Sequence, residues 1–414
     1  MGVKPGYKQT ELGVIPKEWT VRTIGQFATI KTGPFGTLLK ASEYSTDGVP
    51  LISVGEIREG FLQITDDTPR VSQAVTRRLP QYLLRTGDIV FGRKGGVDRS
   101  ALIRDGQDGW FLGSDGIGIR PTQDCHNEYL SFQFQTTRIQ GWLLQNAIGT
   151  TMPSLNQDIL RDVLVPIPPT KAEQEAIAGA LSDADALIES LDRLIAKKRK
   201  IKQGAMQELL SGNRRLHRGS GVWQQTKLGE IGESLIGLTY KPSNVKSDGL
   251  LVLRASNIFQ ETIRFEDNVF VDMDVPTTII LRQGDILICV RNGSRDLIGK
   301  CALINKQARG MTFGAFMAVF RTPFFNIVYH QFQSEIIKRQ INEHLGATIN
   351  QITNKSLNSF QIPLPSDEKE RDAIAEILND MDADIAALEA KVAKARRLKH
   401  GMMQELLTGR TRLV

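Results

Sequence analysis

The side chains with most to offer chemically are cations and amides placed in glycine-flanked loops. Arg93, Lys94 and Arg99 follow the run Gly87-Asp88-Ile89, and Arg291, Asn292 and Arg295 follow Gly284-Asp285-Ile286. A guanidinium fork bonds two acceptors at once, which suits a guanine edge or a phosphate, and a carboxamide can pair with adenine. Two further loops carry Lys31 and Thr32 with Phe35, and Tyr240 with Lys241. A third pair of segments holds Thr150, Thr151, Ser154, Asn156 and Gln157 in one half and Thr348, Asn350, Gln351 and Asn354 in the other. Taken singly, each cluster is ordinary turn chemistry. Polar, basic loops at matching places in both halves are what point to a nucleic-acid partner.

Other chemistries lack their residues. There is no Gly-x-x-x-x-Gly-Lys-(Ser/Thr), and Gly33-Pro-Phe-Gly36 and Gly92-Arg-Lys-Gly-Gly96 are spaced as turns. Asn-Pro-Pro-(Tyr/Phe), Gly-x-Ser-x-Gly and His-Glu-x-x-His are missing too, and the five histidines are scattered. Cys125, Cys289 and Cys301 are odd in number and unpaired in spacing, which argues against a disulfide framework or a zinc site. No catalytic residue and no metal site are expected. Neither a signal-peptide core nor a membrane-length apolar run is visible, so a cytoplasmic protein without a membrane partner is expected. A net charge of +6 permits a nucleic-acid partner without requiring one.

The elements that position these loops come in duplicate. Residues 149–216 align without a gap against residues 346–413, always 197 positions apart, with about 27 of 68 pairs identical. Each copy passes from a Pro-x-Pro stop (Pro166 to Pro168; Pro363 to Pro365) to a closing Met-Gln-Glu-Leu-Leu-(Ser/Thr)-Gly. Between them, Ile177, Leu181, Ala184, Ile188, Leu191, Ile195, Lys198, Lys202, Ala205 and Leu209 alternate at steps of four and three. Ile374 to Leu406 repeat those steps, and this is the seam of a coiled coil. Thr170-x-x-Glu173 and Asp367-x-x-Glu370 predict capping boxes, and Gly212 and Gly409 predict left-handed stops. Each helix should run about 60 Å. Both are acidic in their first half and basic in their second, so only antiparallel packing sets opposite charges side by side.

The segments before each helix match more loosely. Trp19 to Gly25 corresponds to Trp223 to Gly229, Gly48 to Ile57 to Gly249 to Ile258, and Thr86 to Phe91 to Gln283 to Ile288. The matching pieces are apolar, β-branched runs edged by Gly and Asp, which read as strands and turns of one scaffold. The loops between them diverge. One frame carrying two different targets would have this pattern, and a twofold arrangement would bring the two ends of the chain together.

Glu11-Leu-Gly-Val-Ile-Pro-Lys-Glu-Trp19, the Gly-Asp-Ile strands, the Pro-x-Pro lead-ins and both Met-Gln-Glu-Leu-Leu endings resemble the specificity subunits of type I restriction–modification systems. The resemblance implies an α+β fold in which two target-recognition domains of mixed α/β structure are joined by two long helices in an antiparallel coiled coil with internal pseudo-twofold symmetry. The expected divisions are 1–168 and 213–365 for the recognition domains, and 169–212 and 366–414 for the repeat helices. It further implies a non-catalytic chain in which each domain reads half of a bipartite, asymmetric site in double-stranded DNA. Two methyltransferase subunits and two motor-nuclease subunits are the implied partners. The assembled complex would be an adenine-N6 methyltransferase and ATP-dependent endonuclease, with S-adenosylmethionine, ATP and Mg held by partner subunits and no cofactor in this chain. Leu210 and Leu407, one step off the seam, are the expected partner-binding positions. The tips at Arg93 and Arg291 differ in length, so DNA contacts do not carry over residue by residue. The competing reading is a coiled-coil scaffold with two protein-binding heads.

Overall fold

The computed structural model describes residues 4–149, 151–216, 221–345 and 350–413. The chain divides into two compact units that do not follow the linear divisions expected from sequence. One unit joins Met1–Leu191 to Lys391–Val414, and the other is Asp192–Ala390. Each therefore holds one head, half of the central helix (Lys171–Leu210) and half of the C-terminal helix (Glu368–Leu406).

The first head is built on an antiparallel sheet of β1 (Ala28–Thr32), β2 (Ile89–Gly92), β3 (Ser100–Leu102) and β4 (Gly116–Pro121), in the order β1-β4-β2-β3. Strand β2 is buried along its whole length because both faces are covered. Ile89 and Phe91 face a core that includes α1 (Asn127–Phe134) and α2 (Thr137–Asn146), while Val90 faces a smaller cluster with Ile52, Leu84 and Ala101. The short helix α3 (Gln157–Arg161) leads to the strand Leu164–Ile167, which pairs with Thr20–Thr23.

The second head repeats this plan with β5 (Glu233–Ile236), β6 (Ile286–Cys289), β7 (Cys301–Leu303) and β8 (Met317–Arg321), in the order β5-β8-β6-β7. It carries α4 (Phe325–Gln333), α5 (Glu335–His344) and α6 (Asn354–Ser359), and Trp223–Lys227 pairs with Gln361–Pro365. Each head also has a second four-stranded sheet in which the strands follow the same order.

The Gly-Asp motif turns out to be architectural. Gly87 and Gly284 both take φ of +90°, the left-handed conformation that glycine tolerates. The aspartates behind them are buried and clamp arginines on the neighbouring strand. Asp88 accepts from Arg120 Nε and Nη2 at 2.7 and 2.6 Å, and Asp285 accepts from Arg321 at 2.8 and 2.7 Å.

Within each unit the two long helices run antiparallel. In the first, Glu173 pairs with Arg412 and Asp185 with Lys399; in the second, Lys198 pairs with Asp384, Arg199 with Glu389 and Arg215 with Glu370. Every expected seam position is buried or half-buried. The stops are as expected, with Gly212 at φ +77° and Gly409 at +71°. The first unit also ties the early chain to its late end, since Tyr7 Oη donates to the carbonyls of Gly409 and Arg410 at 3.2 and 3.1 Å.

Two expectations need correction. Thr170 Oγ1 does accept from Glu173 N at 3.2 Å, but the Glu173 carboxylate does not close a capping box. It is buried against Arg412 and accepts from Trp19 Nε1, and Glu370 is likewise taken up by Arg215. Secondly, Leu210 and Leu407 are 0 % and 1 % exposed and sit inside the cores of their own units, so the chain itself covers them. They lie off the seam because they pack on the heads.

Candidate nucleic-acid interface

At one end of each main sheet, along an edge formed by strand termini, three backbone segments are laced together. In the first head the segment after β2 donates Arg93 N to Asp115 O at 2.7 Å and accepts Leu155 N at Arg93 O at 2.8 Å, and Lys94 bridges to Ser154. The end of β1 joins them, because the Gln157 carboxamide meets Thr32 Oγ1 at 3.0 Å. The second head makes the same lacing. Val290 N and Arg291 N donate to Phe316 O, Ile352 N donates to Val290 O, and Arg291 bridges to Gln351. Close backbone approach enforces the geometry: a Cβ at Gly33 would strike the Gly113 carbonyl, and one at Gly237 would strike that of Gly314.

This convergence collects Thr32, Arg93, Lys94, Ser154 and Asn156 in the first head, and Arg291, Asn292 and Asn350 in the second. Lys94 and Arg291 are exposed, and Asn350 reaches the Gly293 carbonyl at 3.5 Å. The Arg93 guanidinium lies 4.5 Å from the Phe35 ring centroid, and that of Arg291 lies 5.1 Å from Phe316. Stacking fixes the plane of a guanidinium while leaving its N–H edge free to donate.

Several of the expected residues, Asn156 and Asn292 at this edge among them, have local structural work. Asn156 Oδ1 caps α3 by accepting from Ile159 N at 2.8 Å, and Asn354 Nδ2 donates to Ser234 O at 2.8 Å. Arg295 donates to the carbonyls of Asn342 and Leu345 at the end of α5, a favourable place for a cation. Arg99 folds back over Gly96 within its own loop. Asn292 Oδ1 accepts from Ser294 N at 3.0 Å, an ordinary Asx turn. Three residues are not brought to this edge. Lys31 donates to Gln81 O at 3.2 Å beside the Tyr82 ring, Tyr240 packs on Leu238, Val252 and Val271, and Lys241 opens the next turn. Thr150 and Thr348 lie outside the described residues. Asp115 and Phe316 are the residues at this edge that sequence reasoning passed over.

The cysteines are buried, and burial pushes the Cys125 thiol up to about 12. Among the described residues no cluster of His, Cys, Asp or Glu has the arrangement of a metal site, and no helix is long and apolar enough to cross a membrane.

The chain matches the type I restriction modification DNA specificity domain family twice, over residues 16–198 and 221–395, and it belongs to that family. It is 26 % identical to a putative type I restriction enzyme MjaX specificity subunit of Methanocaldococcus jannaschii, over 98 % of this chain and 97 % of the relative. A shorter match, 28 % identical over 45 % of this chain and 42 % of the relative, is to the EcoKI specificity subunit of Escherichia coli K12. The fold is similar to the crystal structure of an S subunit from M. genitalium, with a TM-score of 0.59, 15 % identity and 98 % coverage of both chains.

Proposed function

We propose, with membership of this family as the premise, that each head reads one half of a bipartite, asymmetric DNA site. The observation that carries this is the laced edge, built to one backbone plan in both heads and furnished with different cations, amides and aromatic rings. Phosphate contacts would supply affinity there and base-edge contacts the selectivity. The chain recognises DNA and leaves catalysis to its partners. Those are two methyltransferase subunits binding S-adenosylmethionine and two motor-nuclease subunits using ATP and Mg, all in the cytoplasm.

The two long helices act as the ruler between half-sites and as the place where methyltransferase subunits dock. With Leu210 and Leu407 covered, docking falls to the apolar side chains that the helices leave exposed, Leu187, Leu194, Ile201 and Leu398. Each precedes a seam position by one residue, so they recur at heptad spacing.

Mapping methylated adenines in cells with and without the gene tests the reading. One bipartite motif should disappear with the gene, and exchanging residues 17–165 for the matching part of a relative should change one half of it only. Loss of no motif, or a change in both halves, contradicts the proposal. A protein-binding scaffold would instead show little DNA binding and no steep salt dependence.

A further inference from the structure

The heads share a backbone turn whose side chain differs in kind. In the first head the turn is Gly113-Ser114-Asp115-Gly116, closed by Gly116 N donating to Gly113 O at 3.0 Å. In the second it is Gly314-Ala315-Phe316-Met317, closed by Met317 N donating to Gly314 O at 2.8 Å. Each turn leads into the equivalent strand, β4 or β8, and the third residue of each gives its carbonyl to the segment that follows β2 or β6. Asp115 and Phe316 therefore occupy one position of the frame.

We propose that this position gives the two heads different base preferences, an inference that rests on the DNA-reading function above. Phe316 is 56 % exposed, and the contact it shows is to the Arg291 guanidinium. Phe316 adds nothing to its own core, yet the fold holds its ring at the laced edge beside a cation with no carboxylate partner among the described residues. The first head also stacks a cation on an exposed ring, but takes that ring from Phe35, which leaves the turn position for a carboxylate. A carboxylate accepts from the amino group of cytosine, whereas a phenyl ring meets a thymine methyl or wedges at a base step. The first head is therefore assigned an amino-bearing base opposite Asp115, and the second an apolar contact at Phe316.

The test uses the full chain assembled with its methyltransferase subunits, selecting from duplexes in which one half-site at a time is randomised. Phe316→Ala and Asp115→Ala are compared with the unchanged protein, and thermal melting confirms that both variants remain folded. Each variant should relax the preference about tenfold at a single base pair, and the two positions should fall in opposite halves. Folded variants that keep every preference, or that lose affinity equally on all duplexes, overturn the proposal. An unchanged complex that selects no sequence overturns the DNA reading itself, and this proposal with it.

Discussion

Where each head meets the long helices, the same lysine keeps different company. In the first unit Lys399 pairs with Asp185 at 2.7 Å and lies over the Phe132 ring. In the second Lys202 pairs with Asp382 at 2.6 Å, but His330 stands where Phe132 would be, and Lys202 also donates to Gln333 Oε1 at 2.8 Å. The correspondence is set by Gln133 and Gln331, which donate to the carbonyls of Leu407 and Leu210. The ring closes its junction without polar debt. The histidine junction leaves His330 Nδ1 and Gln333 Nε2 buried without a hydrogen bond, with Asp382 3.9 Å from the imidazole and Glu261 3.7 Å from the lysine. Duplication has kept the ion pair and let its surroundings drift, and the second junction is the more fragile because buried polar networks are costly when incomplete.

The largest expected effects lie beneath both junctions and should be equal. Leu210→Ala and Leu407→Ala should each cost about 3 kcal/mol, since each empties a fully packed site. Urea unfolding would show it, and a cost below 1 kcal/mol, as for an exposed residue, would contradict the buried placement. The duplicated aspartate clamps should differ. Arg321→Ala should cost about 3 kcal/mol by stranding Asp285, while Arg120→Ala should cost about 2 kcal/mol. Asp88 is also buried, but Arg120 is 42 % exposed against 15 % for Arg321, so water follows more readily into its place. Hydrogen exchange resolved by unit would separate the two, and equal losses would refute the distinction.

At the junctions themselves, Lys202→Met should cost about 2 kcal/mol and Lys399→Met less than about 1 kcal/mol, because a methionine suits a phenyl ring but strands a buried polar set. Acid should sharpen the contrast. Burial holds the His330 pKa below its usual 6.5. The unfolded chain takes up a proton near that pH while the folded chain resists it, so stability is lost as pH falls below about 6.5. His330→Phe should remove this component, and an unchanged slope of stability between pH 7.5 and 5.5 would rule it out. The smallest effect belongs to the helix stops. Gly212→Ala should cost about 1 kcal/mol from its left-handed φ, and Gly409→Ala somewhat more, because its Cβ would meet Pro16 at 2.6 Å.

The helical half was readable from sequence because its order is local. Steps of three and four place the seam, and the reversal of charge along each helix selects the antiparallel arrangement that the ion pairs within each unit display. What stayed hidden depends on contacts distant in sequence. Glu173 looks like a capping residue until Arg412, 239 positions away, is seen beside it. Leu210 looks spare on a helical repeat because the head it packs against has no place in that repeat. The laced edge was half legible: Arg93, Lys94 and Arg291 stood out by type, but Lys31 and Tyr240 did not join them. Phe316 carried no local signal, since an aromatic residue next to a strand usually means core.

The crossed ion pairs have a genetic consequence. Glu173 is matched by Arg412 and Glu370 by Arg215, so each copy of the repeat supplies the counter-ion for the other. A crossover between the two copies in the gene would excise 197 codons and leave one head and one helix. That product would carry its glutamate and its arginine at opposite ends of a helix about 60 Å long, too far apart to meet. Only a second identical molecule could complete both pairs. The half-length recombinant should therefore sediment as a dimer, and a stable monomer would show that the crossed pairs are dispensable.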